Sequence, residues 1–459
     1  MVGDISNAYL TAKTSELVYF IAGPEFGPLE GHTMVIYKAL YGLRTSGARF
    51  HDKLSDTLRS MGFTPSYADP DVWMRDAGDC WEYLCTYVDD LAASLKDPEA
   101  FFNELQSPKH GYKLKGVGPP EVHLGGNFYR DEDGTLAWGA KKYIARILEN
   151  YERLFNSKPK EYSSPIDHDA KPEIDTSKEL EADDIIIYQS LVGCLQWLIT
   201  LGRFDIMAAV MSLSRFRPAP RIGHMEHVQR VFGYLKKYPH GAIRFRTGIP
   251  DHESRHTPME YDWSSTVYGN PVEEIPNYMP IPKGKPVRLT TFVDANLMHC
   301  QVTGRSATGV IHLLNQTPIA WHSKRQNTVE TATYGSEFVA GRTASEQIID
   351  IRFTLRMLGA PLDGPAWMFG DNESVVNSSS IPSHTLNKRH IALSFHRVRE
   401  CVASKLLFFV HIPGKENISD CLTKFLTHSV AWPLIKPILF WTGDTADSNK
   451  APGETNKVN

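Results

Sequence analysis

Apolar and polar residues change rhythm several times along the chain, and each change predicts a different element. The most apolar window, Ile185 to Gly202, is interrupted by Gln189, Ser190 and Gln196. It is short and polar for a bilayer span, which needs about 20 apolar residues, and reads as a buried amphipathic helix. Within Arg215–Arg246, Met225, Val228, Val231, Phe232 and Leu235 fall on one helical face, with Arg230, Lys236 and Lys237 off it. Gly248 to Pro286 holds seven prolines and no sustained period, the clearest domain boundary in the chain. Beyond it, strands are predicted at Arg288–Val293, Thr308–Leu314, Pro318–Ser323, Trp367–Gly370 and Leu406–Ile412. Helices are predicted at Glu330–Leu358, stopped by Gly359 and Pro361, and at Arg389–Ala403. The tail from Thr442 is polar and is expected to fray.

Composition sets outer bounds. A chain of 459 residues suggests roughly three domains, and 42% hydrophobic with 22% charged residues is enough to bury real cores. Lys and Arg number 49 against 53 Asp and Glu, so the net charge of −4 argues against coating nucleic acid by bulk charge. The charge is uneven, however. Glu161–Asp184 carries nine acids against Lys171 and Lys178, whereas Arg215–Arg246 carries eight Lys or Arg against Glu226. The six cysteines form no CxxC pair, which disfavours a zinc ribbon and a disulfide framework and fits reduced thiols of an intracellular protein. Met1-Val2-Gly3-Asp4 shows no basic or apolar leader, so no signal peptide is expected.

Two sets of acids carry the chemistry. Tyr87-Val88-Asp89-Asp90 lies between the apolar run Trp81–Thr86 and Leu91-Ala92-Ala93. That pattern suggests a hairpin tip presenting two carboxylates to a metal, at the cost of placing like charges together. Upstream lie Asp4, with Tyr9 five residues on, and Lys38-Ala-Leu-Tyr-Gly-Leu-Arg44 followed by Ser46, Gly47, Arg49 and Phe50. This ordered set resembles the reverse transcriptase of copia-type LTR retrotransposons. The resemblance makes Asp4, Asp89 and Asp90 the metal-binding catalytic acids, Tyr9 the steric gate against a ribonucleotide 2′-OH, and Tyr41, Gly42 and Tyr87 members of the template and nucleotide site. His123-Leu-Gly-Gly126 resembles the primer grip, and Tyr188–Gly193, Arg203-Phe-Asp-Ile206 and Leu213–Phe216 the region beyond the palm. Gly47 stands where the family usually has proline, which is expected to loosen the local turn. Only three residues precede Asp4, so a truncated central strand and incomplete fingers are expected.

Further on, Asp294 ends a strand-like run, Glu337 lies on the long helix, Asp371 follows Trp367–Gly370, and Asp420 follows the last strand. The order strand, strand, strand, helix, strand, helix, strand, helix with these four acids resembles the ribonuclease H site. His411 lies near where related enzymes carry a mobile histidine.

The implied fold class is α/β (α+β), a palm-type reverse transcriptase fragment followed by a ribonuclease H-like mixed sheet. The implied domains are residues 1–160 for the palm, 161–247 for a thumb- or connection-like region, 248–287 for a Pro-rich linker, 288–427 for ribonuclease H and 428–459 for a polar tail. Two Mg²⁺ ions per site are implied, with Mn²⁺ suiting the same oxygen ligands, and all seven acids serve as ligands. RNA template, DNA primer, RNA–DNA hybrid and deoxynucleoside triphosphates are the implied partners, with no membrane. The location is intracellular, cytoplasmic, within a virus-like particle in an intact element. Arg230, Lys236 and Lys237 are expected to track a phosphate backbone in a salt-sensitive way. RNA would be recognised through 2′-OH contacts across a wide minor groove. Two other readings stand beside a bifunctional enzyme: a hybrid-cutting nuclease with an inactive polymerase, and a non-catalytic nucleic-acid-binding remnant.

Overall fold

The computed structural model describes residues 1–441 apart from Glu132, Glu253 and Asn387. The polar tail from Thr442 lies outside the described residues. The chain divides into two units, the first made of Met1–His123, Tyr278–Lys285 and Thr354–Pro361 and the second of the intervening segments and everything from Leu362 on.

In chain order the first unit holds β1 (Val2–Ile5), β2 (Lys13–Ile21), β3 (Thr33–Lys38), α1 (Ser46–Ser60), β4 (Thr64–Pro65), β5 (Val72–Asp76), β6 (Trp81–Tyr87), β7 (Asp90–Ser94), α2 (Pro98–Gln106), β8 (Leu114–Gly118) and β9 (Val122–His123). Six of its strands form an antiparallel sheet in the order β4-β5-β6-β7-β1-β8, and β2 pairs with β3 as a separate ribbon. Strand alternation sends Glu82, Leu84 and Thr86 of β6 inward, while Cys85 and Tyr87 stay exposed. Ile5, Leu84 and Leu91 then pack against Phe50, Leu54 and Leu58 of α1 and Phe101, Phe102 and Leu105 of α2. Proline at the first position of α2 and an Asp97 carboxylate accepting from the Ala100 N–H at 2.9 Å start that helix. Although short, β1 is paired on both sides, so its residues are fixed in register. The turn before α1, beside Gly47, is tied by side-chain hydrogen bonds. Ser46 Oγ donates to the Leu40 carbonyl at 2.6 Å, and the Thr45 N–H and hydroxyl both donate to the Glu16 carboxylate.

The second unit continues with β10 (Gly126–Arg130), β11 (Leu136–Gly139), α3 (Lys141–Phe155), α4 (Ala182–Thr200), α5 (Met207–Leu213), α6 (Ile222–Lys237) and β12 (Ala242–Arg244). It then adds β13 (Leu289–Cys300), β14 (Arg305–Leu314), β15 (Thr317–Arg325), α7 (Thr333–Met357, its last turn in the first unit), β16 (Ala366–Gly370), α8 (Glu373–Ser380), α9 (Ala392–Ala403), β17 (Leu407–His411), α10 (Asp420–Thr423) and α11 (His428–Leu439). A five-stranded sheet runs β15-β14-β13-β16-β17, with β13 to β15 antiparallel and β16 and β17 parallel to β13. Every residue from Ser306 to Leu313 is buried, because both faces of this sheet are covered. On one face Val293 and Val310 meet Phe338 and Ile348 of α7 and Phe395 and Val398 of α9. On the other, Ile311 and Leu313 join the core built by α4, α5, α6 and α11.

That shared core corrects two boundaries. Residues 161–247 and 288–427 do not form separate bodies, because β14 supplies apolar side chains to the helical layer. Nor do residues 428–441 form a polar tail. Leu434, Ile435 and Leu439 of α11 are buried, and Trp432 lies 5.1 Å from the Tyr238 ring and 5.0 Å from Phe440. Pro433 and Pro437 inside α11 masked its apolar face in the sequence.

The Arg203-Phe-Asp-Ile segment builds a buried ionic network. Arg203 Nε and Nη2 donate to the two Asp205 oxygens at 2.9 and 2.8 Å, and Tyr234 OH donates to Asp205 Oδ2 at 2.9 Å. Both charged side chains are fully buried. Asp205→Ala is therefore expected to cost about 3–5 kcal/mol, because it removes the carboxylate that pairs with a fully buried guanidinium. Urea unfolding reads this as a lower midpoint at unchanged slope.

All six cysteines are unpaired. Among the described residues no helix is long and apolar enough to cross a membrane.

Candidate functional site

Four acids converge at one end of the five-stranded sheet. Asp294 is carried by β13, Asp371 follows β16, Asp420 opens α10, and Glu337 lies in the first turns of α7. Oxygens of Asp294, Asp371 and Asp420 all lie within 4.8 Å of one another, and Asp294 is 1% exposed. Burial, together with the charges of Asp294 and Asp371, raises the Glu337 carboxyl well above its ordinary range. Burial and the Asp294 charge also raise Asp371, and push Asp420 up to about 6. A like-charge cluster shifted this way is short of positive charge, which is the property of a divalent-cation site.

The segment after β17 is shaped to bring Asp420 in. Asn417 Nδ2 donates to the Val293 carbonyl at 3.0 Å, Ser419 Oγ donates to Asn417 Oδ1 at 2.5 Å, and Asn296 Nδ2 donates to the Thr423 carbonyl at 3.0 Å. Gly309 makes the close approach possible, since a Cβ there would sit 2.6 Å from Thr423 Cγ2. Thr423 Oγ1 donates to Asp294 Oδ2. Lys424 reaches into the cluster, with Nζ 3.2 Å from Asp294 Oδ1 and 2.7 Å from Asp420 Oδ1. Sequence reasoning gave Lys424 no role. Its spacing of four from Asp420 on a helix was the available signal. His411 pairs in register with Gly370, and its charge acts on Asp371.

The first unit assembles a second acidic site. Asp4 of β1 is the register partner of Asp90 of β7, and the Ile5 N–H donates to the Asp89 carbonyl at 2.8 Å. β6 and β7 make the expected hairpin, with Val88 in a left-handed turn conformation (φ 56°). Burial raises Asp90, and Asp4 and Asp89 add to the effect against the opposing charges of His123 and Lys115. Lys115 Nζ lies 3.0 Å from Asp4 Oδ1. Among the described residues, only the Asp294, Asp371 and Asp420 trio meets the 4.8 Å closeness, so the palm acids are the more open set. Tyr9 and Tyr41 pack with ring centroids 4.6 Å apart and planes tilted by 35°, Tyr41 and Tyr87 are exposed, and Gly42 turns the chain at φ 96°.

The three basic residues expected to grip phosphates are placed differently. Arg230 binds Asp167 and Ser164, Lys236 donates to the Pro159 carbonyl at 3.1 Å beside Glu161, and Lys237 donates to Ser163 Oγ at 2.8 Å. These contacts staple the segment around residues 159–167 to α6, pairing Arg230 and Lys236 with carboxylates and Lys237 with a neutral hydroxyl. Arg230 and Lys236, expected to track a phosphate backbone, thus have acidic partners within the chain.

Residues 2–164 match the family described as reverse transcriptase (RNA-dependent DNA polymerase). The chain is 26% identical over 428 residues to a retrovirus-related Pol polyprotein from transposon RE1 of Arabidopsis thaliana, covering 93% of this chain and 26% of that polyprotein. It thus spans about a quarter of that relative's length. It is 25% identical over 352 residues to a putative transposon Ty5-1 protein of Saccharomyces cerevisiae, covering 76% of this chain and 100% of that protein. Among solved structures, ribonuclease H1 from Halobacterium salinarum matches at 17% identity and a TM-score of 0.23, over 32% of this chain and 98% of that one.

Proposed function

We propose that this chain, which belongs with the Pol polyproteins of copia-type transposons, is an RNA-directed DNA polymerase joined to a ribonuclease H. The convergence of Asp294, Asp371 and Asp420 with the high-pKa Glu337 supports the nuclease reading. The register of Asp4 against Asp90 beside Asp89 supports the polymerase reading. In each site the carboxylate oxygens fit hard divalent ions, Mg²⁺ or Mn²⁺. Two such ions, when bound, supply activation of the attacking oxygen and stabilisation of the leaving one.

The chain's own residues do the rest. In the nuclease centre Thr423 and Lys424 fix Asp294 and Asp420, so the acids are positioned before a substrate arrives. In the metal-free cluster Glu337 keeps its proton further up the pH scale than an ordinary glutamate, and it would release that proton on joining Asp294 and Asp371 around a cation. His411 places a second proton-carrying group beside Asp371, at the exposed end of β17. In the palm, Tyr9 and Tyr41 pack together, and the exposed Tyr41 ring offers an aromatic face to a nucleotide. The tighter cluster in the second unit favours one further reading, a hybrid-cutting nuclease whose polymerase is inactive.

The test is a labelled RNA–DNA hybrid incubated with Mg²⁺. Cleavage of the RNA strand alone, lost in Asp371→Asn, is the expected result. Primer extension by the same preparation, lost in Asp89→Asn but retained in Asp371→Asn, is expected for the polymerase. Absence of RNA cleavage by a folded wild-type chain that binds hybrid would overturn the nuclease reading.

A further inference from the structure

The β2–β3 ribbon of the first unit carries an apolar face that neither acidic site uses. Its register pairs Val18 with Ile36, Tyr19 with Val35, Phe20 with Met34 and Ile21 with Thr33. Because side chains alternate along a strand, Leu17, Tyr19, Ile21, Val35 and Tyr37 share one face. The opposite face is the anchored one. There Phe20 packs on Phe26 with ring centroids 5.4 Å apart, and Glu16 accepts from the Thr45 N–H at 3.0 Å, just ahead of α1. The first face has no such cover, and its five side chains are between 62 and 82% exposed.

Two tyrosines and three aliphatic side chains at that exposure present roughly 600 Å² of surface. That is the upper end of the largest patch on a typical monomer, about 300–600 Å². β2 and β3 also pair only with each other, and a two-stranded ribbon by itself is marginally stable in water. Covering this face therefore has a large apolar return.

Charge separates along the ribbon. Lys13 and Lys38 stand opposite each other at its base, with Lys13 Nζ 5.2 Å from the centroid of the Tyr37 ring. Glu25 and Glu30 are exposed at its tip, within and just after the short helical turn Pro24–Leu29. Among the described residues, none of these four side chains forms an ion pair within the chain. β2 is nine residues long, so base and tip stand roughly 27 Å apart. That is far outside the screening length of about 8 Å at physiological salt, so the two ends do not attract each other within one copy.

A second copy answers both the apolar face and the separated charge. Packed face to face and antiparallel about a twofold axis, two ribbons cover each other's exposed side chains. The same operation sets the base lysines of each copy against the tip glutamates of the other. Parallel packing would bring like charges together, and a polyanionic partner would meet the lysines but be repelled by the glutamates. The twofold contact buries roughly 1,200 Å² in all, the lower end of the range for stable interfaces.

We propose that the exposed face of the β2–β3 ribbon is a self-association surface, joining two copies of this chain antiparallel through Leu17, Tyr19, Ile21, Val35 and Tyr37. The proposal depends on neither catalytic reading.

The test is sedimentation equilibrium of the full chain in low salt across micromolar concentrations. A monomer–dimer equilibrium with a Kd on the order of 10 μM is expected. Tyr19→Lys combined with Val35→Lys places like charges at the centre of the contact and is expected to weaken it at least roughly tenfold. Lys13→Glu combined with Lys38→Glu is expected to weaken it about fivefold. Adding Glu25→Lys and Glu30→Lys to that variant is expected to restore the dimer, because the swap rebuilds opposite charges at both ends. These four positions are exposed, so the charge series still reads the contact should the Tyr19, Val35 variant misfold. A folded wild type that stays monomeric throughout would overturn the proposal. So would a dimer that survives Tyr19→Lys with Val35→Lys, which would place the contact elsewhere. Charge reversal that has no effect, or that the swap does not rescue, would exclude the antiparallel arrangement. Growth to species beyond a dimer would mean open-ended pairing through the strand edges and would overturn it as well. A monomer that co-sediments with phosphatidylcholine vesicles would assign the face to lipid instead.

Discussion

Asp294→Asn is expected to lower RNA cleavage by a factor on the order of 10³, equivalent to about 4 kcal/mol of transition-state stabilisation. Asp294 is the acid whose charge acts on Glu337, Asp371 and Asp420 alike, so it stands at the electrical centre of the cluster. It is also the most buried of the four, at 1% exposure. Asparagine preserves shape and one carbonyl oxygen, so the change removes charge without opening a cavity. Two stability effects then oppose each other. The variant weakens the pairing with Lys424, but it relieves repulsion on three neighbouring carboxyls. Metal-free thermal stability is accordingly expected to stay within about 1 kcal/mol of wild type. Cleavage within tenfold of wild type would remove Asp294 from the metal-binding role. A large loss of stability would instead mean that lost activity reports unfolding.

How much of this was legible beforehand depended on whether the signal was local. Asp371 was visible because a short apolar run followed by Asp is a one-dimensional pattern, and Trp367–Gly370 lies in β16; Asp294, expected to end a strand, instead sits inside β13, which runs on to Cys300, and Asp420 opens α10 rather than following a strand directly. The Tyr87–Asp90 hairpin followed from the same kind of pattern. The buried face of α6 was equally plain, and Met225, Val228, Val231, Phe232 and Leu235 are all buried. Its opposite face misled because the partners of Arg230, Lys236 and Lys237 lie some 60 to 80 residues earlier, at separations no helical period reports. The acidic stretch read as a linker and the basic stretch read as a grip are joined by these ion pairs and hydrogen bonds. The palm strand β1 shows a further gap. Its placement between β7 and β8 depends on pairing with residues about 90 and 110 positions away.

Lys424→Met is expected to have the second large effect, and its size depends on metal. In the metal-free chain Lys424 is the cation that sits among the acids, paired with Asp294 and Asp420 while itself one-third exposed. Removing it is expected to cost about 2–3 kcal/mol, less than the 3–5 kcal/mol typical of a fully buried pair because water partly screens it. Added Mg²⁺ would meet no competing ammonium, so the stabilisation by a given Mg²⁺ concentration should exceed that of wild type. The pH dependence follows from the acids. Burial and the Asp294 charge raise the folded-state Asp420 to about 6, above its ordinary 3.8. A raised acid contributes stability that is complete below about 4 and lost as pH rises through about 6, and the raised Glu337 and Asp371 act in the same direction. Ion binding requires those protons to leave, so the Mg²⁺-induced shift in melting temperature should grow between pH 5 and 8. In Lys424→Met the acids lose their internal cation, which steepens the metal-free decline and enlarges the rescue. Melting curves at pH 5 and 8, with and without Mg²⁺, test this directly. Equal Mg²⁺ shifts for both proteins at both pH values would show that Lys424 does not share the ion's place.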